Sequence, residues 1–262
     1  MNIYSISRKR LSIISAMLLL LPFLFTQCRQ RESDPVRIMS YNVRNCKGMD
    51  NVVDFDRVAQ VINRTAPDVV ALQELDSATQ RYAGAFVLKE LADRTSLHGI
   101  FAPAIEFQGG KYGVGILSKE APVSVKQIAL PGEEQRTLLI AEFSDFYLCC
   151  THLALESDAR MESVSIIFEA IEKLGESLNK PLFLAGDMNA EYGSAEQNAL
   201  LEKFSLLSDH TQNTFPADNP DRCIDFIYGY NSGYNYPVSN SKVLAEPIAS
   251  DHRPLYVDIR IR

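Results

Sequence analysis

Four apolar segments of the chain each end in a polar side chain that can bind a metal ion or move a proton. These side chains are Asn42 after "VRIMSY", Glu74 after "VVALQ", His152 after "LCCT" and Asp187 after "LFLAG". Loops at one edge of layered sheets are where side chains from distant parts of a chain converge on a ligand. The pattern therefore predicts that these four residues contribute to one site.

The oxygen-bearing members of this set suit a hard divalent cation. Mg²⁺ prefers carboxylate and amide oxygens and usually takes only one or two protein carboxylates. Glu74 is the main candidate, and Asn42 and Asp251 are supplements. Hydrolysis of a phosphate ester near neutral pH needs neutralised phosphoryl oxygens, an activated water and help for the leaving oxygen. We therefore predict Mg²⁺ as the cofactor, with Mn²⁺ as an alternative.

Two of the four histidines lie at strand boundaries beside other polar candidates, His152 in "CCTHL" and His252 in "SDHRP". A neutral imidazole is a base near pH 7 because its unperturbed pKa is about 6.5, and an adjacent carboxylate can fix its tautomer and stabilise its cation. His98 and His210 match no motif, and we assign them no catalytic role. The sequence thus predicts two catalytic imidazoles.

The elements that must position these residues follow from hydrophobic periodicity. Strands are predicted at 36–43, 68–74, 99–101, 113–118, 123–128, 137–143, 146–152, 182–185, 223–229 and 254–261. Helices are predicted at 54–65, 86–94, 158–178 and 194–204. Strands often follow strands directly, so an alternating β/α barrel fits poorly. Mixed sheets packed face to face, with helices outside, fit better.

The length and composition of the chain favour one domain. A chain of 262 residues with 46% hydrophobic side chains can bury one large core. No Ser/Gly/Pro-rich or single-charge stretch divides it, so we expect one domain over residues 36–262 and a monomer. The net charge of −7 argues against a broad basic surface that binds nucleic acid. It does not exclude an enzyme that binds a phosphodiester only briefly during catalysis.

The amino terminus is typical of an export signal. Basic residues 8–10 precede the apolar run 11–25, which predicts a signal peptide over residues 1–27. This run is shorter than the roughly 20 residues of a membrane-spanning helix. Cys28 resembles the lipidated cysteine of bacterial lipoproteins, which implies a cell-envelope protein held at the membrane by a lipid through the short tether 28–35. The alternative is an ordinary secretory signal, with Cys28 removed or left as a thiol.

The remaining cysteines, Cys46, Cys149, Cys150 and Cys223, show no C-x-x-C spacing, which argues against a structural zinc site. Cys149 and Cys150 are adjacent on a predicted strand, so they should point to opposite faces as buried free thiols. Cys46 and Cys223 could form a disulfide in an oxidising compartment, and the sequence leaves this open.

Six short segments carry a family resemblance. In chain order "SYNVRN", "ALQE", "THL", "GDMNA", "RCIDFI" and "SDHRP" resemble the endonuclease/exonuclease/phosphatase superfamily, over nearly all of the chain that follows the signal. The resemblance implies a four-layered α/β sandwich with two mixed sheets between helices. It also implies a metal-dependent phosphoesterase, with Glu74 as the principal metal carboxylate, Asn42 nearby and Asp251 as a further metal-side carboxylate.

The resemblance also implies how protons are moved. Asp187 would orient or activate the attacking water while Asn189 contacts the scissile phosphate. His252, oriented by Asp225, would be one catalytic imidazole, and His152 would donate to a phosphoryl oxygen or assist the leaving group. The roles of acid and base stay assigned to the set jointly.

Two further residues are candidates for substrate binding. Tyr112 in "GGKYGVG" resembles a site-lining residue, and its alternative role is packing over a turn. Arg136 in "EEQRTLL" matches a recurrent Arg before a strand, where it would bind phosphate or form a scaffold ion pair.

Two functions remain open for this sequence. The favoured one is an exported phosphoesterase acting on a phosphodiester or phosphomonoester; its substrate would be nucleic acid, a sphingomyelin-like phospholipid, or an inositol or sugar phosphate. The other is a surface-tethered binding protein that keeps the fold without the chemistry. A protein that no longer catalyses the reaction should have lost some of the site's carboxylates and imidazoles, and this chain retains them.

Overall fold

The structure is a computed structural model that describes residue 1 and residues 34–175 and 178–261. Apart from residue 1, the predicted signal peptide lies outside the described residues, as do Cys28 and most of the predicted tether. Among the described residues, no helix is both long enough and apolar enough to cross a membrane.

The described chain forms twelve strands and four α-helices. The strands are β1 (Val36–Asn42), β2 (Val69–Ser77), β3 (His98–Phe107), β4 (Gly110–Ser118), β5 (Ser124–Leu130), β6 (Arg136–Glu142), β7 (Tyr147–His152), β8 (Leu182–Asp187), β9 (Phe204–Leu206), β10 (Asp225–Tyr230), β11 (Val238–Val243) and β12 (Leu255–Ile259). The helices are α1 (Phe55–Thr65), α2 (Val87–Thr95), α3 (Ser157–Glu172) and α4 (Ala195–Leu201).

These strands form two six-stranded mixed sheets built on the same plan. The first has the order β11-β12-β1-β2-β4-β3 and the second β5-β6-β7-β8-β10-β9. In each sheet one central pair is parallel, β1 with β2 and β7 with β8, and the flanking strands run antiparallel to it. A helix links each parallel pair, α1 in the first sheet and α3 in the second. Each sheet thus has a β-α-β unit at its centre.

The two sheets pack face to face between helices. Alternate residues of both sheets form the central core, for example Ile38 and Ala71 of the first sheet with Cys150 and Phe183 of the second. The outer face of the first sheet packs on α1 and α2, and that of the second packs on α3 and α4. The predicted four-layered α/β sandwich is therefore confirmed.

Local signals explain where the first helix begins and ends. The Asp54 side chain accepts a hydrogen bond from the Arg57 N–H at 2.9 Å, which caps the start of α1. Ala66 is left-handed at φ 50° and ends the helix directly before Pro67. This cap and stop fix the length of the crossover between β1 and β2.

The boundaries that the sequence predicts differ from the structure at weakly patterned segments. β11 was not predicted because its sequence, VSNSKV, is polar and mostly exposed at the edge of a sheet. β9 has only three residues and was not predicted; its first residue, Phe204, was the last residue of the predicted helix 194–204, which ends at Leu201 in the structure. The predicted helix 158–178 ends at Glu172.

All four cysteines of the described chain are buried free thiols. Cys149 faces the outer core of the second sheet and Cys150 the central core, so the prediction of opposite faces is confirmed. Cys46 lies among the residues outside the first sheet and Cys223 among those outside the second, so the disulfide left open by the sequence is absent. Burial raises the pKa of the Cys150 and Cys223 thiols to about 12.

Candidate active site

The predicted polar residues meet at one edge of the sandwich, which we call the site edge. β1, β2, β7 and β8 end there, and the antiparallel strands β10 and β12 begin there. His152 and Asp187 are the last residues of β7 and β8 and stand in register, and Asp225 opens β10 opposite Asp187. The two β-α-β units therefore deliver their terminal residues to the same place.

Asp187 is the centre of the site. Its buried Oδ2 accepts a hydrogen bond from Asn42 Nδ2 at 3.1 Å and lies 3.4 Å from His152 Nε2 and 3.6 Å from His252 Nε2. Its Oδ1 accepts the Asn189 N–H at 2.9 Å. One carboxylate thus contacts residues from both sheets and from the loop before β12.

A close approach of two strands supports this arrangement. A Cβ added to Gly186 would stand 2.0 Å from the Thr151 carbonyl oxygen on the neighbouring strand, so only glycine fits beside Asp187. Asn189 has a left-handed φ of 48° and donates its side-chain Nδ2 to the Leu153 carbonyl at 2.9 Å. An amide nitrogen carries two N–H donors, so one remains for a substrate oxygen.

His252 and Asp225 form a buried pair, with 2.9 Å between His252 Nδ1 and Asp225 Oδ2. Burial lowers the pKa of His252, but the negative charges of Asp225 and Asp187 outweigh burial and raise the pKa to about 10. An imidazole with that pKa carries its proton near pH 7 and can donate it. The ring of Phe215 packs on this imidazole, with 4.7 Å between the ring centroids.

His152 has the opposite tendency. Burial lowers the pKa of His152 most, the negative charge of Asp187 opposes it, and the positive charges of Arg136 and His252 lower it further, so that the pKa is about 4. His152 is therefore neutral near pH 7. The structure separates two imidazoles that the sequence could only assign together. Both are buried near Asp187, but His252 also contacts a second carboxylate, Asp225, whereas His152 has the charge of Arg136 nearby.

Glu74 is aimed into the site by a β-bulge. The pairing of β2 with β4 shifts between Leu72 and Leu75, and Glu74 between them has a left-handed φ of 59°. That conformation costs a non-glycine residue about 1–2 kcal/mol, and such strain is typical of functional sites. Asn42 Nδ2 donates to Glu74 Oε1 at 3.0 Å.

Asp251 completes a group of three carboxylates. Ser250 Oγ donates to the Asn42 carbonyl at 2.7 Å, which ties the loop before β12 to β1. Asp251 Oδ2 lies 3.3 Å from Arg44 Nε. Burial raises the pKa of Glu74, and the negative charges of Asp251 and Asp187 raise it further.

This donor set fits a divalent cation. Burial and the repulsion between its carboxylates both raise the pKa of Glu74, and a bound cation would offset both effects. A second grouping, Asp187, Asp225 and His252, has ligand atoms within 4.8 Å of one another. Since Asp225 already holds His252 Nδ1, that grouping is better suited to proton transfer, and the Glu74 and Asp251 side is the better cation site.

The two predicted substrate-binding residues border the site. Arg136 opens β6, is 7% exposed, and shares the lining of a small cavity with Tyr112 and His152. Its Nη1 lies 2.6 Å from Glu134 Oε1, whereas its buried Nε has no partner in the described chain. Arg136 therefore both pairs with an acid, as the scaffold alternative holds, and keeps a donor that can bind an anion.

Several residues that the sequence did not single out also border Glu74. A pocket is lined by Asn45, Glu74, Arg81, Phe107, Tyr112 and Glu134. Asn45 and Glu134 stand in the quoted segments "SYNVRN" and "EEQRTLL" with Asn42 and Arg136, but the sequence assigned them no role of their own. Arg81 and Phe107 come from segments without any motif.

Comparison with known proteins identifies the family of the chain and solved structures that share its fold. A model of the "Endonuclease/Exonuclease/phosphatase family" matches residues 39–252. No curated protein matches the sequence significantly.

Solved structures of the same fold include an endonuclease/exonuclease/phosphatase from Beutenbergia cavernae, 22% identical with a TM-score of 0.72 over 87% of this chain and 72% of that one. A mannosyl-6-phosphatase from Bacteroides thetaiotaomicron is 18% identical with a TM-score of 0.70 over 86% of this chain and 99% of that one. The human Nocturnin catalytic domain, solved with a bound sulfate, is 18% identical with a TM-score of 0.66 over 87% of this chain and 94% of that one. At these identities the likeness shows the fold.

Proposed function

Because this chain belongs to the endonuclease/exonuclease/phosphatase family, we propose that it is a metal-dependent phosphoesterase that hydrolyses a P–O bond of a phosphomonoester or phosphodiester. The observation that carries the proposal is the position of Asp187 Oδ2, which lies within 3.6 Å of Asn42, His152 and His252. Water-activating, proton-donating and metal-binding groups thus stand around one point.

Glu74 and Asp251, with Asn42 beside them, would hold the cation, which is Mg²⁺ in this proposal, with Mn²⁺ as a substitute. When bound, such a cation neutralises phosphoryl oxygens and lowers the pKa of water. Asn42 also donates to both Glu74 and Asp187, so it fixes the orientation of the two carboxylates.

Asp187 orients the attacking water and accepts its proton as the water oxygen forms a bond to phosphorus. The P–O bond to the leaving group breaks, and the leaving oxygen takes a proton from the imidazolium of His252, which Asp225 orients. Neutral His152 donates a hydrogen bond to a phosphoryl oxygen, as do the free N–H of Asn189 and the unpaired Nε of Arg136.

The alternative, a binding protein on the same fold, is less well supported because every predicted acid and imidazole reaches the site edge. The fold does not select the substrate, since the neighbours include a mannosyl-6-phosphatase and the Nocturnin catalytic domain. The net charge of −7 weighs against long nucleic acids.

We also propose that the protein is exported and held at the cell envelope by a lipid on Cys28, as a monomer whose domain spans residues 36–262. A shift in the size of the expressed protein on treatment with globomycin would support the lipid. An unchanged size would favour the ordinary secretory signal.

The test of the proposed activity is a screen of the protein against DNA, RNA, sphingomyelin, inositol phosphates and sugar phosphates. We expect hydrolysis with Mg²⁺ or Mn²⁺, loss of it on chelation with EDTA, and recovery on adding the cation back. Absence of hydrolysis across the whole panel with either cation would favour the binding protein.

A further inference from the structure

The pocket beside Glu74 is small and mostly polar. Its free volume is about 90 Å³, and it is lined by Asn45, Glu74, Arg81, Phe107, Tyr112 and Glu134. Pockets that enclose a drug-sized ligand measure about 300–1,000 Å³. The pocket therefore takes a few polar groups at one edge of a ligand and does not enclose a whole ligand.

Asn45 lines this pocket and carries a buried acceptor without a partner. The residue is 4% exposed, and its Oδ1 has no hydrogen-bond partner in the described chain. A buried polar atom without a partner costs about 1–3 kcal/mol. Asn45 also lies in a turn where three consecutive residues, 44–46, have left-handed φ values of 46°, 53° and 61°. A ligand that donates a hydrogen bond to Oδ1 would satisfy this atom.

The cation that lines the pocket, Arg81, already has a partner. Arg81 Nη2 donates to Asp76 Oδ1 at 2.6 Å, and Arg136, which pairs with Glu134 at 2.6 Å, lines the neighbouring cavity. The pocket is therefore a poor site for a second phosphate. Its remaining polar groups are the carboxylates of Glu74 and Glu134, which accept hydrogen bonds, and the Asn45 amide and Tyr112 hydroxyl, which can donate and accept. Hydroxyl groups of a ligand both donate and accept, so they can pair with all of these groups.

Aromatic rings form the other wall. The Phe107 and Tyr112 rings lie 6.2 Å apart, and the Arg81 guanidinium stacks 4.6 Å above Phe107. Flat apolar faces beside hydrogen-bond acceptors suit a ring that has C–H groups on one face and hydroxyl groups at its rim. A sugar or cyclic polyol has both.

We infer that this pocket is a subsite for the hydroxyl groups of a sugar or polyol attached to the reacting phosphate. Its substrates would accordingly be phosphate esters of sugars or polyols, in preference to lipids or nucleic acids. The inference rests on the proposed phosphoesterase function, because Glu74 lines both the pocket and the predicted cation site.

The test compares esters with and without hydroxyl groups. We would measure kcat/KM with Mg²⁺ for glucose 6-phosphate, mannose 6-phosphate and myo-inositol 1-phosphate against phenyl phosphate, in the wild type and in Asn45→Gly. Glycine keeps the left-handed backbone at φ 53° while it removes the amide. The matched control is Asn51→Gly, an exposed asparagine with a left-handed φ of 62° outside the pocket.

We expect the wild type to prefer at least one hydroxylated ester over phenyl phosphate, and Asn45→Gly to lower that preference about tenfold, the effect of losing about 1.4 kcal/mol. Glu134→Gln should lower the preference in the same direction, and its exposed neighbour serves as the control in Glu133→Gln. Both controls should keep the wild-type preference.

A binding measurement makes the inference independent of turnover. In the His252→Ala background, calorimetry would give the Kd of glucose 6-phosphate, mannose 6-phosphate, myo-inositol 1-phosphate and phenyl phosphate, with and without Asn45→Gly. Tighter binding of a hydroxylated ester that weakens on Asn45→Gly would support the subsite even if no hydrolysis occurred, in which case only the proposed function fails. Hydrolysis of phenyl phosphate with no hydroxyl preference, or an Asn45→Gly variant with wild-type selectivity and affinity, would overturn the subsite alone.

Discussion

The two ends of the sandwich treat charge in opposite ways. At the far edge, where β1, β2 and β8 begin, acids are matched by bases. Arg37 donates to both carboxylate oxygens of Asp258 at 2.7 and 2.9 Å, and Lys180 lies 2.8 Å from Glu142. At the site edge Glu74, Asp187 and Asp251 instead stand near one another. Asp251 contacts Arg44 at 3.3 Å and Asp187 lies 3.6 Å from His252, whereas no ion pair to Glu74 occurs within the part of the chain that the structure describes.

The pKa shifts follow this difference. The hydrogen bonds from Arg37 lower the pKa of Asp258, whereas burial and neighbouring carboxylates raise the pKa of Glu74. Compensated charges stabilise the fold, and uncompensated ones are suited to a ligand. The same layers therefore serve two purposes, stability at the far edge and chemistry at the site edge.

The largest effect should come from removing a site-edge group. Glu74→Gln, Asp187→Asn and His252→Ala should each lower kcat/KM about 10²–10⁴-fold, the range for general acid–base groups and preorganised charges. Glu74→Gln should leave the melting temperature at or above that of the wild type, because it removes a strained like-charge contact. Steady-state kinetics and calorimetry check both parts. Wild-type turnover in His252→Ala would refute its assignment.

A smaller effect on turnover should follow from removing a side chain that holds the His252 ring in place. We assign Phe215 no contact with the substrate, but its ring packs on the His252 imidazole, with 4.7 Å between the ring centroids. Phe215→Leu should lower kcat about tenfold with little change in KM, because a misplaced catalytic group costs rate. If the fall in kcat only matches the fraction of unfolded protein, the positioning role is wrong.

The far edge should respond in stability and not in turnover. Asp258→Asn removes the charge that Arg37 contacts, so we expect the free energy of unfolding to fall by about 1–2 kcal/mol while kcat/KM stays at the wild-type value. Chemical denaturation and the same kinetic assay check this. A large loss of activity in Asp258→Asn would erase the distinction between the two edges.

The smallest effect should be the pH dependence of the difference in unfolding free energy between the wild type and Asp258→Asn. The pKa of Asp258 is lower in the folded protein than in the unfolded chain, so its contribution to stability is present above the unfolded value of about 3.9 and is lost as pH falls through the folded pKa. The stability gap between wild type and Asp258→Asn should be constant near neutral pH and narrow below pH 4. A gap that persists in acid would mean that the pair acts through packing alone.

The sequence was sufficient for the fold because its core strands are strongly patterned. It failed at β11, whose exposed polar residues carry no apolar periodicity, and at β9, which is too short to show one. It also left the segments around Glu74 as a simple strand end, although β2 continues to Ser77 through a bulge. Bulges and edge strands depend on neighbouring strands, which local periodicity does not encode.

For the site, strand-end residues could be predicted because their types suit a cation and a proton relay. The different protonation states of His152 and His252 could not be predicted, because they follow from the charges that surround each ring. The acceptor of Asn45 was equally hidden, because its lack of a partner is a property of the folded chain.

The central claim is that the uncompensated carboxylates of the site edge bind a divalent cation. Calorimetric titration of Mn²⁺ into the wild type, Glu74→Gln and Asp258→Asn tests it most directly. We predict saturable binding to the wild type, at least tenfold weaker binding to Glu74→Gln, and wild-type binding to Asp258→Asn. No binding to the wild type, or equal binding to wild type and Glu74→Gln, would contradict the account.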